Sequence, residues 1–199
     1  MAYASWSVVF GEQPSAAKWN ILGSNDASFN DGSGFSAGAL GSDSDAFANG
    51  VCVQMQHTSL TTVASTAIAL PADDTIPQNT EGAEAMTVTI TPKSSTNELV
   101  IEAVLLLAPN TADHVVAALF QDSTAGALKA VANYQSTNTG MTPVSLNHKM
   151  VAGTTSATTF KIRYGSSTGV STSINGQGGA RRFGGVVTTG MVVREYRAT

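Results

Sequence analysis

Cysteine is nearly absent from this 199-residue chain, with Cys52 standing alone. One thiol excludes an intramolecular disulfide framework and any multi-cysteine zinc site. Charge is scarce too: Asp, Glu, Lys and Arg make up 12% of residues, about half the usual share. A helical bundle, which draws on Lys, Glu, Arg and Leu, does not fit that scarcity. Whole-chain disorder does not fit either, because it goes with high net charge and few Val, Ile and Leu. The small balance that exists is acidic, −4, whereas nucleic-acid recognition needs clustered Lys and Arg. No nucleic-acid partner is expected. Nor does any run approach the roughly 20 apolar residues of a membrane-spanning helix. The opening Met1-Ala-Tyr-Ala-Ser-Trp6 lacks the basic and apolar regions of a signal peptide. The expectation is a soluble, cytoplasmically made protein with no membrane insertion.

What replaces charge is hydroxyl and glycine. The chain holds 21 Ser, 24 Thr and 19 Gly against an ordinary 42% of hydrophobic residues, the composition of a Thr-rich all-β protein. The distribution is uneven. The first 57 residues contain no Thr, and residues 1–50 carry one base, Lys18, against Glu12, Asp26, Asp31, Asp43 and Asp45. Gly23 to Gly50 is dominated by Gly, Ser, Asn and Asp, which favour turns over regular structure. Residues 1–49 therefore read as an extended, mostly irregular arm. Two Trp among its few large apolar residues suggest that it docks onto something, with Trp6, Phe10, Trp19 and Ile21 as the candidate anchors.

From residue 50 onward, strand-like runs recur roughly every dozen residues between turn signals, the spacing of a sandwich or jelly roll. Val51 to His57 alternates, which places Cys52 in an apolar run as a buried free thiol. Thr61 to Leu70 follows and stops at Pro71. In Ala85 to Thr91, Met86, Val88 and Ile90 point inward and Thr87, Thr89 and Thr91 outward. Pro92 to Asn97 is a turn. Glu98 to Ala108 is apolar on both faces, which predicts cover from both sides, by a second sheet or another subunit. Ala112 to Phe120 is compatible with a short helix, but Val115, Val116 and Phe120 favour a strand over His114–Gln121. Further strands are expected at 128–134, 142–150, 158–164 and 186–196.

No constellation for catalysis or metal binding survives its context. Gly34-Phe-Ser36-Ala-Gly38 matches a hydrolase nucleophile pattern, which needs a strand before and a helix after; the Gly/Ser/Asn/Asp flanks offer neither. The calcium-loop template read from Asp26 puts Asp31 where Gly belongs and Ala37 where the final acid belongs. His57, His114 and His148 each sit alone in separate runs, without metal-ligand spacing. Asp113-His114 beside abundant Ser is what any Ser-rich β protein offers. No catalytic residue, metal or cofactor is expected. The unusual segment is the loop Gly176 to Gly185, where glycines surround Arg181 and Arg182. Paired Arg can clamp carboxylates or phosphates, and Gln177, Arg181 and Arg182 form a candidate exposed contact loop. It reads as a long turn between strands, or as a surface that meets a partner subunit or a glycan.

Phe10 to Gly32, FGEQPSAAKWNILGSNDASFNDG, resembles an N-terminal module recurrent in bacteriophage virion proteins, especially tail and head fibres. Thr75–Gly82, Ala118–Ser123, Ala152–Lys161, Arg182–Gly185 and Val192–Glu195 resemble C-terminal domains of phage fibre proteins, similar to the trimeric jelly rolls of the tumour-necrosis-factor and C1q type. The resemblance implies an all-β antiparallel jelly-roll sandwich over 50–199 that forms a homotrimer. It also implies that residues 1–49 attach to the major capsid protein or another virion structural protein. The implied role is non-enzymatic: capsid decoration, a head fibre or a short tail fibre in the virion. The alternative is a receptor-binding module for a host-surface glycan, with Tyr134, Gln135, Gln177 and Arg181 clustered at one end. The chain departs from long fibres in lacking any shaft or heptad segment.

Overall fold

The computed structural model describes residues 50–136 and 140–198. The proposed anchors Trp6, Phe10, Trp19 and Ile21 lie outside the described residues, as do Ser36 and the early aspartates. In chain order the strands are β1 (Cys52–Leu60), β2 (Ala64–Thr66), β3 (Ala83–Ile90), β4 (Glu98–Pro109), β5 (Asp113–Gln121) and β6 (Lys129–Gln135). They continue with β7 (Thr142–Val151), β8 (Thr158–Ser166), β9 (Thr172–Ile174), β10 (Gly176–Gln177), β11 (Ala180–Arg181) and β12 (Thr189–Tyr196).

All pairings are antiparallel. One sheet runs β1-β12-β4-β7, with the short β9 and β2 continuing beside the end of β4; the other runs β3-β8-β5-β6. Successive long strands cross between the sheets at every step except β5 to β6. That order is the double Greek key of a jelly roll.

Period-2 patterning sets the core. Met86, Val88 and Ile90 are buried while Thr87 and Thr89 are exposed, as their alternation predicts. The inner faces meet through Leu99, Ile101, Leu105 and Leu107 on one side and Val115, Leu119, Phe160 and Ile162 on the other. Residues 113–121 are strand, not helix.

Within the described chain, the strand covered on both faces is β5. Val116, Ala118 and Phe120 turn away from the main core and are closed over by Leu70. That cover is the chain's own segment 67–82, held by Leu70 N–H to Ser166 O (2.9 Å) and Gly82 N–H to Ala69 O (2.8 Å). The Arg163 guanidinium adds bonds to the carbonyls of Glu81 (2.6 Å) and Gly82 (2.7 Å). On β4 the expected second cover is not supplied by the described chain, and Val104 remains 50% exposed.

Two further corrections concern the ends of strands. Thr61–Leu70 is strand only at Ala64–Thr66, and the last strand starts at Thr189 rather than Val186. Cys52 is exposed, not buried. It lies on β1, an edge strand whose register shifts between Cys52 and Gln54. There the amide side chain of Gln54 turns to Glu195, and the thiol makes only a local bond to Gln54 O (3.3 Å).

Candidate functional site

Between β9 and β12 the chain leaves the sandwich as a prong, built from the β10–β11 ribbon and a 3-10 turn at Phe183–Gly185. Its base is fixed by Asn175, buried and in the left-handed region at φ 59°. Asn is among the residues that tolerate this conformation. The Asn175 amide donates to Leu60 O (2.7 Å) and Thr62 O (3.2 Å), and its oxygen accepts from the Thr189 hydroxyl (2.8 Å). Its own N–H reaches Leu106 O (3.0 Å). A third support is Ser173, whose Oγ accepts from Gly179 N–H (2.9 Å) and meets Ser65 Oγ at 3.0 Å.

This base holds up an exposed tip. Phe183 is 73% exposed and Val186 80%, large apolar groups left in water on an ordered loop. Phe183 also carries φ 49°, a region costly to a residue with Cβ. The Arg182 Nε donates to Gln177 Oε1 (3.0 Å). Arg181 lies over Gly185, where an added Cβ would stand 2.9 Å from Arg181 Cδ. Among the described residues neither arginine pairs with a carboxylate, whereas Lys149–Glu98 (2.7 Å) and Arg194–Glu102 do form ion pairs. The arrangement presents two guanidinium groups without carboxylate partners among the described residues and two exposed apolar side chains. Exposed aromatic and arginine side chains are residue types on which binding hot spots draw.

The structure thus places Gln177, Arg181 and Arg182 together on one exposed loop. Tyr134 and Gln135 are on β6 instead, where the Tyr134 ring tilts at 51° against the His114 ring, centroids 4.9 Å apart. Phe183 and Val186 were missed by sequence reasoning. The signal was a Phe enclosed by Arg182 and Gly184 in a glycine run, where no core strand could absorb it.

The remaining titratable candidates are committed to structure. Burial alone would raise the Asp113 carboxyl, but bonds from the Thr168 hydroxyl (2.8 Å) and N–H (3.1 Å) and the His114 backbone N–H (2.7 Å) outweigh it. The group is held below its ordinary value. The carboxylate therefore fastens the turn after β8 and does not orient the His114 ring. His148 is half-buried and faces Ile101 across the sheet; desolvation, then Lys129, lowers its pKa. Among the described residues no group of three or more His, Cys, Asp or Glu is placed to hold a metal. No described helix is long and apolar enough to cross a membrane.

No protein-family model matches the chain, and no curated protein matches it. Among solved structures, the EclA C-terminal domain, a sugar-binding protein, is 15% identical with a TM-score of 0.32. That match covers 64% of this chain and 79% of that one. The VP2 subviral particle of infectious bursal disease virus is 12% identical with a TM-score of 0.31, over 74% of this chain and 39% of that one. A tailspike protein of bacteriophage CBA120 is 14% identical with a TM-score of 0.25, over 61% and 18%.

Proposed function

We propose that the chain is a non-enzymatic structural protein of a bacteriophage virion. In this reading it is a homotrimeric capsid decoration protein, head fibre or short tail fibre, attached through residues 1–49 with the jelly roll displayed outward. The observation that carries this reading is a hydroxyl-rich jelly roll whose prong leaves Phe183 and Val186 exposed and Arg181 and Arg182 without carboxylate partners among the described residues. A shell-bound protein needs assembly contacts, and the prong supplies apolar and cationic ones on a preorganised base. The resemblance of residues 10–32 to a phage virion module supports the attachment role. Jelly rolls also build viral capsids, a support at the level of architecture alone.

The test is solution mass by light scattering on the full chain, followed by co-sedimentation with virions or capsids stripped of their own accessory proteins. A mass near three chains and saturable attachment, lost in the Trp6→Ala/Trp19→Ala double variant, is the expected result. A monomer that never sediments with capsids overturns the reading.

A second reading is favoured by the His114–Tyr134 pair, a half-open ring platform. It makes the domain a host-surface glycan receptor module, with the exposed Tyr134 ring as the contact and Gln135 on the other face of β6. Saturable binding to a glycan array, abolished by Tyr134→Ala, would support it.

A further inference from the structure

The charge of this chain is sorted along its length. Residues 1–122 hold 13 of the 14 acids, while residues 123–194 hold seven bases and no acid. Strand pairing interleaves the two halves and neutralises part of this, as in Lys149–Glu98 and Arg194–Glu102. What stays unpaired is informative. Several charges stay outside these ion pairs; two of them are adjacent and of like sign on the prong, Arg181 and Arg182, and two are adjacent and of the opposite sign elsewhere, Asp73 and Asp74.

Those two acids rim a concave surface of about 410 Å³ between segment 72–77 and the start of β6, lined also by Ile76, Pro77, Leu128 and Lys129. Asp73 and Asp74 are exposed, and Ile76 is 64% exposed. The Asp73 carboxylate is fixed in orientation by Thr75, whose N–H (2.8 Å) and hydroxyl (2.5 Å) both donate to Oδ1. Two acids against Lys129 leave this wall at −1. The prong and the concavity therefore share one chemistry with opposite sign: each has a bare apolar centre, Phe183 and Val186 or Ile76, bordered by a pair of unpaired like charges.

We propose that the occupant of the concavity is the prong of a second copy of this chain. Phe183 and Val186 pack on Ile76 while Arg181 and Arg182 meet Asp73 and Asp74. The two surfaces are different patches of one molecule, so the contact is head-to-tail, and such contacts build rings when the rotation closes. This inference rests on the homotrimer reading above and assigns the surface that closes it. It also accounts for the strained Phe183 backbone, since strain persists where an ordered loop must present a side chain.

Charge reversal on the full chain tests the pairing. Wild type is expected at the mass of three chains. Arg181→Glu/Arg182→Glu and Asp73→Lys/Asp74→Lys are each expected at one chain, because like charges then face each other across the contact. All four reversals combined restore the opposite-sign pairing and are expected to return the three-chain mass. The four residues are exposed, so the reversed variants should stay folded by circular dichroism, losing only the Asp73–Thr75 bonds and the stability that assembly adds. Should a reversed variant fail to fold, wild type and Ile76→Ser carry the test. Raising salt from about 0.05 to 0.5 M should weaken the wild-type ring at least about tenfold through screening, and Ile76→Ser should weaken it at fixed salt. Double reversals that remain trimeric, or a quadruple variant that remains monomeric, overturn this interface while leaving the trimer standing. A monomeric wild type overturns the trimer itself.

Discussion

The Asn97 side-chain amide donates to Glu195 Oε1 over 2.6 Å, in a site where Glu195 is fully buried. Lys93 N–H (2.8 Å) and Ser94 N–H (3.2 Å) reach the same oxygen, and the Gln54 amide bonds Oε2. One carboxylate thus ties the turn after β3 to β1 and β12. Its donors are neutral: desolvation alone would raise the Glu195 carboxyl, but Gln54, Asn97 and the two backbone N–H groups outweigh it and hold it below 4.5. With a folded pKa under the unfolded one, the unfolded chain binds more protons in acid. The stabilisation is present in full above the unfolded value and is lost as pH falls through the folded one. Asp113 acts in the same direction from 3.8. Urea midpoints should be level from neutral pH to about 5 and fall below it. Glu195→Gln, which sets an amide donor against donors, should lose about 2–3 kcal/mol at neutral pH and flatten the acid limb. An acid limb as steep as wild type in that variant would refute the role.

A second prediction concerns the cover over β5. Gly165 passes beneath segment 67–82 so closely that an added Cβ would stand 2.6 Å from Ile68 O. Gly165→Ala should cost about 1–3 kcal/mol through overpacking against backbone. Leu70→Ala should cost about 2–5 kcal/mol through the cavity left above Phe120. Both should open segment 67–82 to limited proteolysis before the remaining strands are cut. Cleavage within residues 83–198 first would show that Gly165 and Leu70 do not hold this cover in place.

The third follows from the edge position of Cys52. The native protein should react with one equivalent of an aromatic disulfide reagent without denaturant, and Cys52→Ala should change stability by no more than about 0.5 kcal/mol. A thiol that reacts only after unfolding would restore the buried reading.

That correction shows what was legible in the sequence and what was not. Alternation located β3, because Met86, Val88 and Ile90 face a core that both sheets share and one face had to be apolar throughout. The same rule failed on β1, an edge strand, where the sandwich-facing positions include Gln54, recruited by Glu195 across 141 residues of sequence. It also did not foresee the outer cover on β5. β4 and β5 are both apolar on two faces, and only the path of 67–82 decides which one is covered from outside. In the contact loop, glycine and arginine were legible as a local pattern. The base was not, because Asn175 acquires its partners from Leu60, Thr62 and Thr189, which only the fold brings together.

The last prediction separates stability from contact at the tip of the prong. At φ 49° Phe183 holds a backbone that costs an L-residue about 1–2 kcal/mol, and at 73% exposure it recovers little of this by burial. Phe183→Gly removes the strain but adds freedom to the unfolded chain worth about 0.5–1 kcal/mol. Compared as monomers, the variant should melt at or slightly above Phe183→Ala. Phe183→Ala keeps the Cβ and the strain and should gain nothing. If the ring is the apolar centre of a subunit contact, both variants should weaken the trimer at least about tenfold, the loss expected for truncating a hot-spot aromatic. The decisive result is therefore a Phe183→Gly monomer at least as heat-stable as the Phe183→Ala monomer, since loss of the trimer lowers the melting temperature of both alike. A Phe183→Gly monomer less stable than Phe183→Ala would show that the backbone there is not strained.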